Sequence, residues 1–137
     1  MKIYFAGSIR GGRDDGHLYK QIISLLLQYG IVLTEHIGDE KLLAEGEKNV
    51  TDVHIYERDI EFLTEADVII AEVSTPSLGV GYEIGWTESR GKKILCIYRP
   101  SEGKRLSAML AGNKNLMTKE YKDIKDLEII FKEFFKS

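Results

Sequence analysis

The sequence predicts an α/β fold: a parallel five-stranded sheet with helices on both faces. Three observations predict it. Short apolar, β-branched runs alternate with longer stretches of helical periodicity, the pattern of parallel strands joined by crossover helices. Two of the strand-like runs end in glycine-rich turns that open helices. The helical stretches carry apolar residues along one side, as helices packed on a sheet must.

Taken in order, residues 2–6 read as the first strand, and the glycine-rich turn that follows leads into a helix starting near Asp14. Leu18, Ile22, Leu25, Leu26 and Tyr29 recur at helical spacing and should face the sheet, with Gly30 ending that helix. Residues 31–34 form a second strand. Residues 35–51 are polar, acidic and rich in Gly, Lys and Glu, a composition that suits either a lid over a site or an inert loop. A helical stretch at 52–65 precedes a buried strand at 67–73, a helix from Gly79 to about Arg90 ended by Gly91, and a strand at 93–98. A short helix near Arg105 to Leu110, a short strand at 115–118 and a last helix at 124–136 complete the chain. In the last helix Leu127, Ile130, Phe131, Phe134 and Phe135 make an apolar stripe suited to core packing. Strand order 2-1-3-4-5, the Rossmann-like arrangement found in flavodoxin, would set the first and third strands side by side at the switch point and bring the two glycine turns together.

With 137 residues and 43% hydrophobic content, the expectation is a single domain spanning 1–137. A net charge of −3 argues against a nucleic acid polymer as partner and is compatible with one small anionic ligand. The Lys-rich segment 114–125 is mixed with acidic residues and reads as a solvated face. The single cysteine, Cys96, lies in an apolar strand run, so no internal disulfide is possible and a buried thiol is expected. Metal-ligand spacing is absent, and no run is long enough to span a membrane. The chain opens directly on strand residues, so the expected setting is a reducing cytoplasm with no cleaved leader.

The most informative stretch is Ser77-Leu78-Gly79-Val80-Gly81-Tyr82-Glu83, which places a carboxylate in the first turn of a helix opening on two glycines. The glycines allow close backbone approach, while the first-turn N–H groups and the positive end of the helix dipole favour a phosphate. The same dipole would hold Glu83 ionised, as a nucleophile needs. On these seven residues alone, Glu83 as a mere cap remains an equal reading. A second turn, Gly7-Ser8-Ile9-Arg10-Gly11-Gly12-Arg13, offers a hydroxyl and two forked guanidinium donors for phosphate oxygens. Neither turn has the spacing of a dinucleotide fingerprint or a Walker P-loop. Asp59 is the third clue, because its helical neighbours Ile55, Tyr56, Phe62 and Leu63 are apolar. Burial there would raise its pKa and suit it to be a general acid, though an aspartate at the helix rim bonded to a loop is the plainer alternative. One depressed carboxyl, Glu83, and one raised, Asp59, is the pattern that cleaves glycosidic bonds.

The blocks Tyr4 to Arg13, Glu57-Arg58-Asp59, Ser77 to Gly85 and Arg105-Leu106-Ser107-Ala108-Met109 together resemble the 2'-deoxynucleoside 5'-monophosphate N-glycosidases, within the nucleoside 2-deoxyribosyltransferase group. The resemblance implies that Glu83 is the nucleophile, Asp59 the acid and then base, and Tyr4 the hydroxyl that orients Glu83. It implies a 5'-phosphate held by Ser8, Arg10, Ser77 and Gly79 within the two glycine turns, with His36 near the base. It further implies a homodimer in which Ser107, with Ala108 and Met109 beside it, completes the partner's site. No cofactor or metal is required by that chemistry.

Two other functions are weighed against hydrolysis. A deoxyribosyltransferase acting on unphosphorylated nucleosides would leave Arg10, Arg13 and Ser107 with no phosphate to pair. A non-catalytic nucleotide sensor would have no use for a second carboxylate, Asp59, on an apolar face.

Overall fold

A computed structural model describes residues 1–8, 16–38 and 50–136. Its elements are β1 (Lys2–Ala6), α1 (Gly16–Leu26), β2 (Ile31–Val32), a 3-10 turn (Glu35–Gly38), α2 (Asp52–Glu65), β3 (Val68–Glu72), α3 (Leu78–Glu88), β4 (Lys93–Tyr98), α4 (Ala108–Ala111), β5 (Met117–Glu120) and α5 (Ile124–Lys136). The five strands form one parallel sheet in the order β2-β1-β3-β4-β5, as the alternation of the sequence implies.

Alternation along the central strands divides the core into two layers. Ile3, Phe5, Val68, Ile70, Leu95 and Ile97 face α1 and α5, where Ile22, Leu26, Leu127, Phe131 and Phe134 cover them. Tyr4, Ala6, Ile69, Ala71, Ile94 and Cys96 face the other way, toward Leu63 of α2 and Val80 and Ile84 of α3. All the predicted sheet-facing residues of α1 and α5 pack into the first layer, Leu18, Leu25, Tyr29, Ile130 and Phe135 only in part. Cys96 is fully buried, and burial pushes its thiol up to about 12.

Among the boundaries that differ from the sequence reading, four have a clear physical reason. β2 stops at Val32 because Thr34 substitutes a side chain for the ladder: its hydroxyl accepts from the Phe5 N–H at 2.9 Å and donates to the Phe5 carbonyl at 2.8 Å. α1 ends at Leu26, not at Gly30, and Gly30 has no left-handed backbone. Its hydrogen side chain is needed for space, since a Cβ there would lie 2.2 Å from the Met1 carbonyl oxygen. α3 ends at Glu88, where Gly91, at φ 72°, turns the chain and donates to the Glu88 carbonyl. β5 begins two residues later than predicted because Asn113 and Asn115 form a turn, both side-chain amides donating to Glu88 at 2.8 and 3.1 Å.

The expected helix start near Asp14 and most of the expected lid, residues 39–49, lie outside the described residues. What is described of the lid is a 3-10 turn at Glu35–Gly38, with Ile37 and Gly38 buried, and its last two residues, Val50 and Thr51, at the start of α2. No described helix is long and apolar enough to cross a membrane.

Candidate active site

The C-terminal ends of β1 and β3 lie side by side, with Ala6 opposite Ala71, so the turns that leave them open into common space. That space is a cleft of about 720 Å³ walled by Gly7 and Ser8 after β1, by the inner face of α2, and by residues 76–80, Tyr82 and Glu83 at the start of α3. It lies at the topological switch point, where open parallel sheets bind ligands.

Each wall has a local cause. Thr51 caps α2, its hydroxyl accepting from the His54 N–H at 3.1 Å, and this sets the phase that turns Asp52, Ile55, Tyr56, Asp59, Ile60 and Leu63 toward the cleft. The far end of α2 is held by Lys92, whose ammonium donates to the carbonyls of Leu63, Thr64 and Ala66 at 2.6–2.8 Å. Ser77, in extended backbone, caps α3 by accepting from the Val80 N–H at 3.2 Å. An accepting hydroxyl still has a proton to donate. A Cβ on Gly79 would meet only Ser77 Oγ, at 3.9 Å, and one on Gly81 would meet nothing within 4 Å. The chain's own packing therefore does not demand these glycines, and they leave the helix N-terminus open to a ligand. On the β1 side, Ser8 is almost fully buried and its N–H donates to the Tyr19 hydroxyl at 3.1 Å. Gly7 is required there, because a Cβ would lie 2.8 Å from the Tyr19 ring.

Two carboxylates enter the cleft from opposite walls. Glu83 comes from α3 and accepts a hydrogen bond from the hydroxyl of Tyr4, whose ring is fully buried under the sheet's second layer. Asp59 comes from α2, half-buried among Ile55, Tyr56, Ile60 and Leu63, and its Oδ1 accepts from Arg58 Nε at 3.0 Å. The expected division of labour between their pKa values is overturned at Glu83. Burial pushes that carboxyl up to about 8, so Glu83 is raised and not depressed as its place at a helix N-terminus suggests. The error lay in weighing the helix terminus without the apolar walls around it.

The structure brings together Tyr4, Gly7, Ser8, Asp59, Ser77, Gly79 and Glu83. Ile9, Arg10, Gly11, Gly12 and Arg13 lie outside the described residues. His36 is not brought to the cleft wall; it sits half-buried in the 3-10 turn after β2. Ser107 is exposed and caps α4, its hydroxyl accepting from the Met109 N–H at 3.3 Å, and Ala108 and Met109 are exposed beside it. None of these three lines its own chain's cleft. The sequence reading missed Tyr82, which crosses Tyr56 edge to face at 6.4 Å over the cleft, and Pro76 and Ile60 in its walls. Tyr56 and Tyr82 lie on different helices, and no spacing rule within either predicts that they meet. Among the described residues no group of three or more His, Cys, Asp or Glu side chains is placed to hold a metal.

A sequence profile described as nucleoside 2-deoxyribosyltransferase matches residues 3–118. The chain belongs to that family. Within the family it is 50% identical over 140 residues to the 5-hydroxymethyl-dUMP N-hydrolase of Esox lucius, covering 99% of this chain and 97% of that one. It is 48% identical over 139 residues to the enzyme of the same name from Danio rerio, covering 100% and 97%. The solved structure of a Clostridium botulinum CMP N-glycosidase superposes with a TM-score of 0.67, covering 98% of this chain and 99% of that one at 19% identity, and so shares the fold.

Proposed function

We propose that this family member hydrolyses the N-glycosidic bond of 2'-deoxynucleoside 5'-monophosphates, releasing the free base and 2-deoxyribose 5-phosphate. The observation that carries the reading is the pair of carboxylates, Glu83 and Asp59, facing one cleft beside a helix N-terminus suited to phosphate. Half-identity to relatives named 5-hydroxymethyl-dUMP N-hydrolases supports it and points to modified pyrimidine deoxynucleotides among the substrates.

In this reading Glu83, whose carboxyl burial raises to about 8, first gives its proton to solvent; the carboxylate, hydrogen-bonded by Tyr4, then attacks the anomeric carbon while the carbon–nitrogen bond breaks and Asp59 passes a proton to the departing base. Water then attacks the glycosyl ester, Asp59 takes its proton, and the Glu83 carboxylate is released. Ser8, Ser77 and Gly79 hold the 5'-phosphate, joined by Arg10 and Arg13 from the β1 turn. The aromatic pair Tyr56 and Tyr82 offers a face for the base. Ser107, with Ala108 and Met109, serves the partner's site in a homodimer. Leu78, 97% exposed, and Met109, 81% exposed, supply apolar area for that interface. The setting proposed is the cytoplasm.

The test is a substrate panel followed by chromatography of released base: a 2'-deoxynucleoside 5'-monophosphate, the matching ribonucleotide and the matching deoxynucleoside, each with and without a second free base. Base release from the deoxynucleotide alone is expected. Base exchange on the deoxynucleoside would make the protein a transferase, and no turnover across the panel would make it a sensor.

A further inference from the structure

At the end of β3, on the sheet face away from the cleft, Glu72 is fully buried. Its position alternates with Ala71, which packs in the cleft-side layer, so its side chain joins Tyr121 in the other layer. It cannot touch a molecule bound in the cleft, and the proposed chemistry makes no use of it. Three donors converge on it. The Ser74 N–H reaches Oε1 at 2.7 Å, the Ser74 hydroxyl reaches Oε2 at 2.9 Å, and the Tyr121 hydroxyl reaches the same Oε2. Ser74 Oγ in turn accepts the Arg99 N–H at 2.9 Å.

These bonds fall where the ladder ends. The Val73 N–H still pairs with the Ile97 carbonyl at 2.9 Å, and from Ser74 onward the chain leaves the sheet to become the cleft wall at Pro76 and Ser77. The link from β4 passes from Arg99 to the Ser74 hydroxyl, and the Glu72 carboxylate fixes that hydroxyl. A buried carboxylate is expensive even when satisfied. Burial raises its pKa, opposed by the hydrogen bonds from Tyr121 and Ser74 and by the Arg99 charge. A core needing only to be filled would be served better by an apolar side chain of similar volume.

We infer that Glu72 is a positioning residue: through Ser74 it sets the turn that carries Ser77 and the N-terminus of α3, and so the affinity of the cleft for a phosphate. The inference rests on the phosphate reading above. The turn is held at its N–H by one carboxylate oxygen and at its hydroxyl by the other, so both oxygens act as acceptors. A glutamine offers one.

The test compares wild type with Glu72→Gln on a 2'-deoxynucleoside 5'-monophosphate, and measures product inhibition by 2-deoxyribose 5-phosphate and by the free base. KM and the inhibition constant of the sugar phosphate are expected to rise about tenfold, with kcat and the free-base constant within about twofold. A folded Glu72→Gln protein with unchanged KM and sugar-phosphate inhibition overturns the inference, as does a fall in kcat with both inhibition constants unmoved. Where Glu72→Gln does not fold, Ser74→Ala removes the hydroxyl link alone and must show the same selective loss. A wild-type protein that turns over the nucleotide no better than the nucleoside overturns the phosphate reading, and this inference with it.

Discussion

Glu83→Gln should make the protein more stable at alkaline pH while removing its activity. The native carboxyl is raised from 4.5 to about 8 by burial. Between those values the folded chain holds a proton that the unfolded chain has released, so stability falls as pH rises through that window. From about pH 5.5 to about pH 9 the loss attributable to Glu83 is roughly 3 kcal/mol, which for a chain of this size is roughly 10 °C in Tm. Glutamine keeps an acceptor for the Tyr4 hydroxyl and carries no charge to desolvate, so the variant escapes that loss. The assay is thermal or urea unfolding of both proteins across the pH range, read as the difference between them, which cancels every other titrating group. The difference should be small at pH 5.5 and grow in favour of the variant toward pH 9. Parallel profiles would refute the claim that Glu83 is the buried, desolvated carboxyl of the cleft.

Other outcomes follow from the same geometry. Asp59→Asn should slow base release by about 10²–10⁴-fold for bases that leave poorly and much less for those that leave unprotonated, read from a leaving-group series. Tyr4→Phe removes the donor to Glu83 and should lower kcat roughly 10- to 100-fold with KM little changed, measured in steady state. Lys92→Met leaves the carbonyls of Leu63, Thr64 and Ala66 without their shared donor, so urea unfolding should show a loss of about 1–3 kcal/mol. Mixing inactive Glu83→Ala with inactive Ser107→Arg should restore about a quarter of wild-type activity if subunits exchange at random, since half the dimers are mixed and each holds one intact site. No recovery after confirmed exchange would place Ser107 outside the partner's site.

The sheet was legible because its three central strands are mostly apolar on both faces and the helices α1 and α5 carry apolar stripes; those are local patterns, and the parallel order follows from their alternation. The cleft was legible as far as its walls are consecutive in sequence, from Ser77 to Glu83. What depended on residues distant in the chain was not. Thr34 reads as one more strand residue, and only the nearness of Phe5 makes its hydroxyl a substitute for the ladder. Gly30 reads as a helix stop, while its reason is the Met1 carbonyl pressed against it. Glu83 sits at a helix N-terminus, which sequence can see, but the walls that desolvate it come from α2 and β1, which sequence cannot assemble. Glu72 lies within the predicted buried strand, and nothing local to it shows that Tyr121, 49 residues away, donates to its carboxylate.

The central claim is that Glu83 carries the sugar between bond cleavage and hydrolysis. Rapid acid quenching of the enzyme with a 2'-deoxynucleoside 5'-monophosphate, followed by peptide mass spectrometry, tests it directly. The account predicts a 2-deoxyribose 5-phosphate adduct on the peptide containing Glu83, located to that side chain by fragmentation and absent from Glu83→Gln. An adduct on a different residue, or an active Glu83→Gln enzyme with no adduct in either protein, would contradict it.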